Sequence, residues 1–165
     1  MNAHDMDIVR NMLLDVHLAL EPEIQAVIDE VGSVWPDGPR GLLTCTFVPE
    51  MPFFCGTFGD QFPVDYAARW PEDKFGVLAI VKAAVSLAEG KPSEECRPNS
   101  LILATPVHTL QLRRNWMGGV ADGPFSSGGS GLTEKADKRA ALLLLPAAKA
   151  GFEDLVNRGA ITLAA

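Results

Sequence analysis

Apolar and polar positions along this chain alternate between a helical rhythm and a strand-like one. Over 5–20, Ile8, Val9, Met12, Leu13, Val16 and Leu20 share one side of a helix. Glu21-Pro22 is expected to break it, because proline lacks the N–H that a helix interior needs. A second helix is expected over 22–31, where Ile24, Val27, Ile28 and Val31 keep the same spacing and Gly32 supplies a stop. Turn formers fill 33–40. Two short runs, 41–48 and 52–58, are dense in β-branched and aromatic residues. Pro49-Glu50-Met51 between them predicts a hairpin centred on Glu50, with Phe47 facing Phe53 and Cys45 facing Cys55.

The chain is organised around 71–89. Pro71 suits a first helical position, and Glu72 and Asp73 complement the helix dipole. Gly90 is a left-handed stop, and Pro92 prevents the helix from resuming. Apolar residues cover nearly the whole circumference, leaving Lys82, Ser86 and Glu89 as a narrow polar stripe. A helix apolar almost all round is a buried helix, so the rest of the chain is expected to wrap it.

Beyond it, 100–105 and 107–116 read as strands. The glycine-rich stretch 118–131 could hide a short strand, but composition reads it as a loop. Thr133 can cap a helix through Ala141, and 140–146 reads equally as a buried strand. Pro146 argues against one helix over 133–158. A last helix is expected at 147–158, ended by Gly159, with 161–165 as an edge strand. This order predicts an α+β single domain, 1–165: an antiparallel β-sheet, a long buried central helix, and flanking N- and C-terminal helices.

Composition narrows the partners. A net charge of −7 argues against nucleic acid and against an anionic membrane surface. No apolar run reaches the ~18–20 residues of a membrane span. The first residues lack the basic start and apolar core of a signal peptide, so a cytoplasmic location is expected. Three cysteines without CxxC spacing suggest neither a disulfide framework nor a zinc site, and no metal is expected.

Candidate chemistry is sparse. His108 shares a strand face with Leu110 and Leu112, where a neutral imidazole is either a haem ligand or a hydrogen-bonded core group. Cys45 and Cys55 are a candidate redox pair, with a disulfide, a soft-metal site or two inert buried thiols as the readings. Cys96, among Glu94, Glu95 and Arg97, is no strong nucleophile. Arg113, Arg114 and Trp116 with Ser127, Gly128, Gly129 and Ser130 could receive a carboxylate or phosphate: guanidinium forks match such anions, and successive backbone N–H groups form an anion nest. The alternative is a surface glycine loop beside a solvated arginine pair. No GxSxG or other catalytic signature is present.

Leu78-Ala79, Lys82-Ala83, Ala88 and Gly90-Lys91-Pro92-Ser93 resemble the GlcG-like haem-binding family, with its buried helix, Lys-Ala pair and Gly-x-Pro-Ser/Thr exit. Gly118-Gly119-Val120, Ser130-Gly131 and Asp137 are similar to that family's GGV segment and the turn before its last helix. The hairpin turn departs from it, with Pro49-Glu50-Met51-Pro52 in place of an Asp-Ala-Gly-Gly type. The resemblance implies a profilin-like α+β fold, a homo-oligomer, and binding of haem or another small molecule. It transfers no ligand residue; joined to the candidate chemistry above, it gives a binding module in which His108 faces the ligand and Arg113 or Arg114 meets its carboxylates. The rival expectations are a small enzyme on an anionic metabolite, using Cys45, His108 or Asp122, and a structural subunit without catalysis.

Overall fold

The computed structural model describes residues 1–31, 40–60, 74–96, 102–104, 109–111 and 117–163. Helix α1 (Ala3–Val31) leads into the hairpin β1 (Gly41–Phe47) and β2 (Phe54–Gly59). Helix α2 (Lys74–Glu89) follows, then a single 3-10 turn, Ser93–Glu95. A small separate ladder pairs β3 (Ile102–Ala104) with β4 (Thr109–Gln111). A second hairpin, β5 (Gly119–Asp122) and β6 (Phe125–Ser130), precedes α3 (Glu134–Asn157). The main sheet is antiparallel throughout in the order β2-β1-β6-β5. Helix α2 covers one face of it, and α1 and α3, packed on each other, cover the other. This is the α+β arrangement expected from the order of elements.

Two prolines do not act as expected. Pro22 lies inside α1 and Pro146 inside α3, and both helices continue through them. The reason is burial on both sides of each proline. Val9 and Leu13 precede Pro22, while Ile24, Val27 and Ile28 follow it, all inside the core. Each such side chain contributes about 1.5–3 kcal/mol when fully buried. Three beyond the proline exceed the ~3 kcal/mol that an interior proline costs. Ala148, Phe152 and Leu155 do the same for α3. Both prolines face solvent. The carbonyls they orphan belong to Leu18 and Leu142, residues 59% and 53% exposed, so water can take over the missing bond.

The hairpin 41–59 has the predicted register, with Cys45 opposite Cys55. Glu50 takes φ 59° at its turn, and the Phe47 and Phe53 rings sit 5.9 Å apart. The glycine-rich segment is the larger correction. It is a β-hairpin, turned at Gly123 (φ 59°), and β6 is an inner strand whose six residues are all buried. Glycine serves close approach here. A Cβ on Gly128 would lie 2.3 Å from the Ala79 carbonyl oxygen, and one on Gly119 would lie 2.1 Å from that of Lys82. The backbone of α2 therefore rests directly on the sheet.

Helix α2 is buried as expected, but its polar stripe points inward: Lys82 and Ser86 are buried while Ala88 is exposed. Its exit works locally. Gly90 (φ 64°) donates to Ser86 O at 2.8 Å, and Ser93 Oγ accepts from the Gly119 N–H at 2.9 Å, tying the exit to β5. Thr133 caps α3 by accepting from Ala136 N at 3.3 Å. Residues 161–163 form no strand; Ile161 enters the core, and Thr162 N donates to Asp5 Oδ2 at 3.3 Å.

Candidate functional site

Helix α1 and the edge strand β2 enclose a groove of about 290 Å³. Leu14, His17, Leu18 and Glu21 line one wall, and Phe54 and Phe58 the other. His17 projects from the buried side of α1 because it follows Val9 and Leu13 at helical spacing. Gly56 makes room for it: a Cβ there would meet His17 Cδ2 at 2.4 Å. The imidazole stacks on Phe58, with centroids 5.1 Å apart and planes 11° apart, and meets Phe54 edge-on at 4.9 Å.

The ring nitrogens are both engaged. Nδ1 lies 2.9 Å from Leu13 O, and Nε2 lies 3.1 Å from Thr44 Oγ1. Burial lowers the pKa of His17, although the Leu13 carbonyl opposes this, and the ring is neutral near pH 7. Nδ1–H then donates to Leu13 O, and Nε2 accepts the Thr44 hydroxyl. Thr44 Oγ1 also lies 3.2 Å from Gly56 O. Protonation of Nε2 would make it the donor to Thr44 Oγ1 and turn the Thr44 hydrogen toward Gly56 O. One side chain thus couples α1, β1 and β2.

A second cleft of about 390 Å³ lies between the hairpin turns and the end of α3, lined by Pro49, Pro124, Phe125, Phe152 and Leu163. Its polar residues, Glu153 and Asn157, are exposed. The α1–β2 groove has a buried polar group held in place among aromatic rings, the usual mark of a ligand site.

Of the residues predicted from sequence, His108, Arg113, Arg114 and Trp116 lie outside the described residues. Ser127, Gly128, Gly129 and Ser130 are in β6: all four pair with β1, Ser127 and Gly128 also pair with β5, Gly128 lies under α2, and Gly129 lies against Asp137 of α3. They lie in a strand and not in the loop expected of them, and the arginines of the same candidate anion site lie outside the described residues. Cys45 and Cys55 are cross-strand neighbours and both are free thiols. Cys45 packs on Ala79 and Ala83 of α2, whereas Asp122 pairs with Lys149 of α3 at 2.6 Å on the opposite side of the sheet. The convergence required of an enzyme using both residues is absent.

Sequence reasoning puts His17 on a helix beside core positions but gives it no role, and it misses the pairing of Lys82 with Asp137. Lys82 Nζ reaches from the α2 layer to Gly129 O and Asp137 Oδ2, both at 2.8 Å. It passes Gly118, where a Cβ would lie 3.0 Å from it. Asp137 Oδ1 accepts from Leu132 N at 3.0 Å. Burial raises the Asp137 pKa, against the opposing pull of Lys82. A lysine in the middle of a mostly apolar helix, with glycine pairs downstream, was the available signal.

Comparison with known proteins finds no matching family model, no similar curated protein and no similar solved structure. Among the described residues no group of His, Cys, Asp or Glu could hold a metal ion, and no helix is long and apolar enough to cross a membrane. Haem, which the GlcG-like resemblance implies, does not fit the described groove. An axial ligand needs a free ring nitrogen, and both of His17's are hydrogen-bonded.

Proposed function

We propose that this chain is a small-molecule-binding protein whose α1–β2 groove takes a compact, largely apolar ligand. The observation that carries this reading is the His17–Phe58 stack, fixed by Thr44 and open to a groove between Leu14, Leu18 and Phe54. Aromatic faces and aliphatic side chains supply the contact area, and the hydrogen-bonded imidazole holds the floor in one orientation. A wider reading joins the haem implied by the GlcG-like resemblance to the residues read from the sequence: His108 binds haem and Arg113 or Arg114 meets its propionates. We also keep the homo-oligomer in the proposal, since Leu18 and Leu142 are large apolar residues on outer helix faces.

The test is a titration with Nile red, a neutral apolar dye. Wild type and Leu163→Asp should raise and blue-shift its emission, and Leu18→Asp should abolish the response. A response lost in Leu163→Asp and kept in Leu18→Asp would move the site to the other cleft. A haem titration decides the wider reading: a Soret shift absent in His108→Ala supports it, and an unshifted band removes it. Light scattering that shows a monomer removes the oligomer.

A further inference from the structure

Cys45 and Cys55 are direct partners in the β1–β2 ladder, so their side chains leave the same face of the sheet. That face belongs to α2, since Cys45 packs on Ala79 and Ala83. Directly opposed residues in an antiparallel pair have Cα atoms about 4.5 or 5.5 Å apart, according to the kind of pair. Both distances fall within the roughly 4.4–6.8 Å that a disulfide requires. Cys45 is fully buried and Cys55 is exposed. Strand β2 is at the sheet edge, where a small shift disturbs only one ladder.

We propose that Cys45 and Cys55 are a dithiol site that a hydroperoxide converts into a cross-strand disulfide, with Cys55 attacking and Cys45 resolving. The Cys55 thiolate attacks one oxygen of hydrogen peroxide. An S–O bond forms, the O–O bond breaks, and the hydroxide released takes up a proton as water. The Cys45 sulfur then displaces hydroxide from the Cys55 sulfenic acid. The S–S bond forms, the S–O bond breaks, and the Cys45 proton leaves in a second water. Both thiols are oxidised and the peroxide is reduced.

The roles follow from the surroundings. Cys45 donates a hydrogen bond to Cys55, which pulls the Cys55 thiol down in pKa against some desolvation, and pushes the Cys45 thiol up. The more acidic and more accessible sulfur is the nucleophile. Cys96 is set apart: it is buried, its Sγ lies 3.4 Å from Pro92 O and 3.5 Å from Val85 O, and burial pushes its pKa up. The disulfide would staple β2 to β1 on the α2 face of the sheet, at a residue, Cys55, that also borders the His17 groove; peptide mapping reads the disulfide without reference to ligand.

The test oxidises the reduced, full-length wild-type protein with one equivalent of hydrogen peroxide, then alkylates it and maps peptides without reduction. We expect a Cys45–Cys55 linked peptide, with Cys96 still alkylated. In Cys45→Ser, dimedone should trap the Cys55 sulfenic acid at least tenfold above the wild-type level. An unchanged thiol count in wild type overturns the proposal. So does Cys55 oxidised to sulfinic acid while Cys45 stays alkylated. The wild-type mapping decides the matter even if the variant fails to fold.

Discussion

The seam between α2 and the β5–β6 hairpin and the groove between α1 and β2 are built from opposite materials. The seam uses glycine, alanine and serine, and main chain lies on main chain; a Cβ on Gly119 or Gly128 would fall within 2.5 Å of the helix backbone. The groove uses phenylalanine, histidine and leucine, whose rings and branches hold the helix away from the edge strand. The seam closes completely and leaves room for one long side chain, Lys82. The groove stays open. Small residues thus serve cohesion in this molecule, and large ones leave the space in which a ligand could lie.

The strongest way to break this contrast is to add bulk to the seam. Gly128→Val should leave no folded protein by circular dichroism, because the obstacle is helix backbone, which cannot turn aside as a side chain can. That exceeds the about 1–3 kcal/mol of ordinary overpacking. A folded Gly128→Val protein would contradict the seam. Next is the ion pair. Asp137→Ala leaves the Lys82 ammonium buried without its carboxylate and should cost about 3–5 kcal/mol in denaturant unfolding. Lys82→Met combined with Asp137→Leu should recover most of that loss, because apolar replacements remove the stranded charge. A double variant no better than Asp137→Ala would show that packing, and not charge, dominates there.

The groove should respond more gently and to acid. The buried His17 has its pKa lowered from 6.5, so the unfolded chain takes up its proton first. Its contribution to stability is therefore complete above pH 6.5 and is lost as pH falls from there toward the folded-state value. The slope in that window is positive with pH and bounded by the one-proton limit of ~1.4 kcal/mol per pH unit. His17→Gln should flatten it in urea melts taken across the range, and an unchanged slope would remove His17 as its source. The smallest effect is Leu18→Ala, on an exposed position. It should change stability by no more than about 0.5 kcal/mol while weakening dye binding.

Much of the fold was legible because it rests on spacing. The hairpin register follows from where Glu50 sits between two strand-like runs, and the buried α2 follows from its apolar circumference. The helix breaks at Pro22 and Pro146 were misread because proline was weighed alone. Both lie off the apolar stripe of their helix, on the solvent side, where a missing hydrogen bond costs least. The loop reading of 118–131 failed for a related reason. Glycine runs signal either freedom or close approach, and only the partner surface, here the backbone of α2, tells which. The groove was illegible because it joins residues of α1 and β2 that are distant in sequence. His17 reads as one more position on an amphipathic helix until Gly56 is seen beneath it.

The central claim is that a closed seam and an open edge coexist in one sheet. Native-state hydrogen exchange tests it most directly, by comparing ladder-bonded amides of β6 with those of β2. The account predicts that β6 amides exchange only through global unfolding, tracking denaturant with the full unfolding slope, while β2 amides exchange through local opening of lower free energy. Equal protection of the two strands, or a better protected β2, would contradict it.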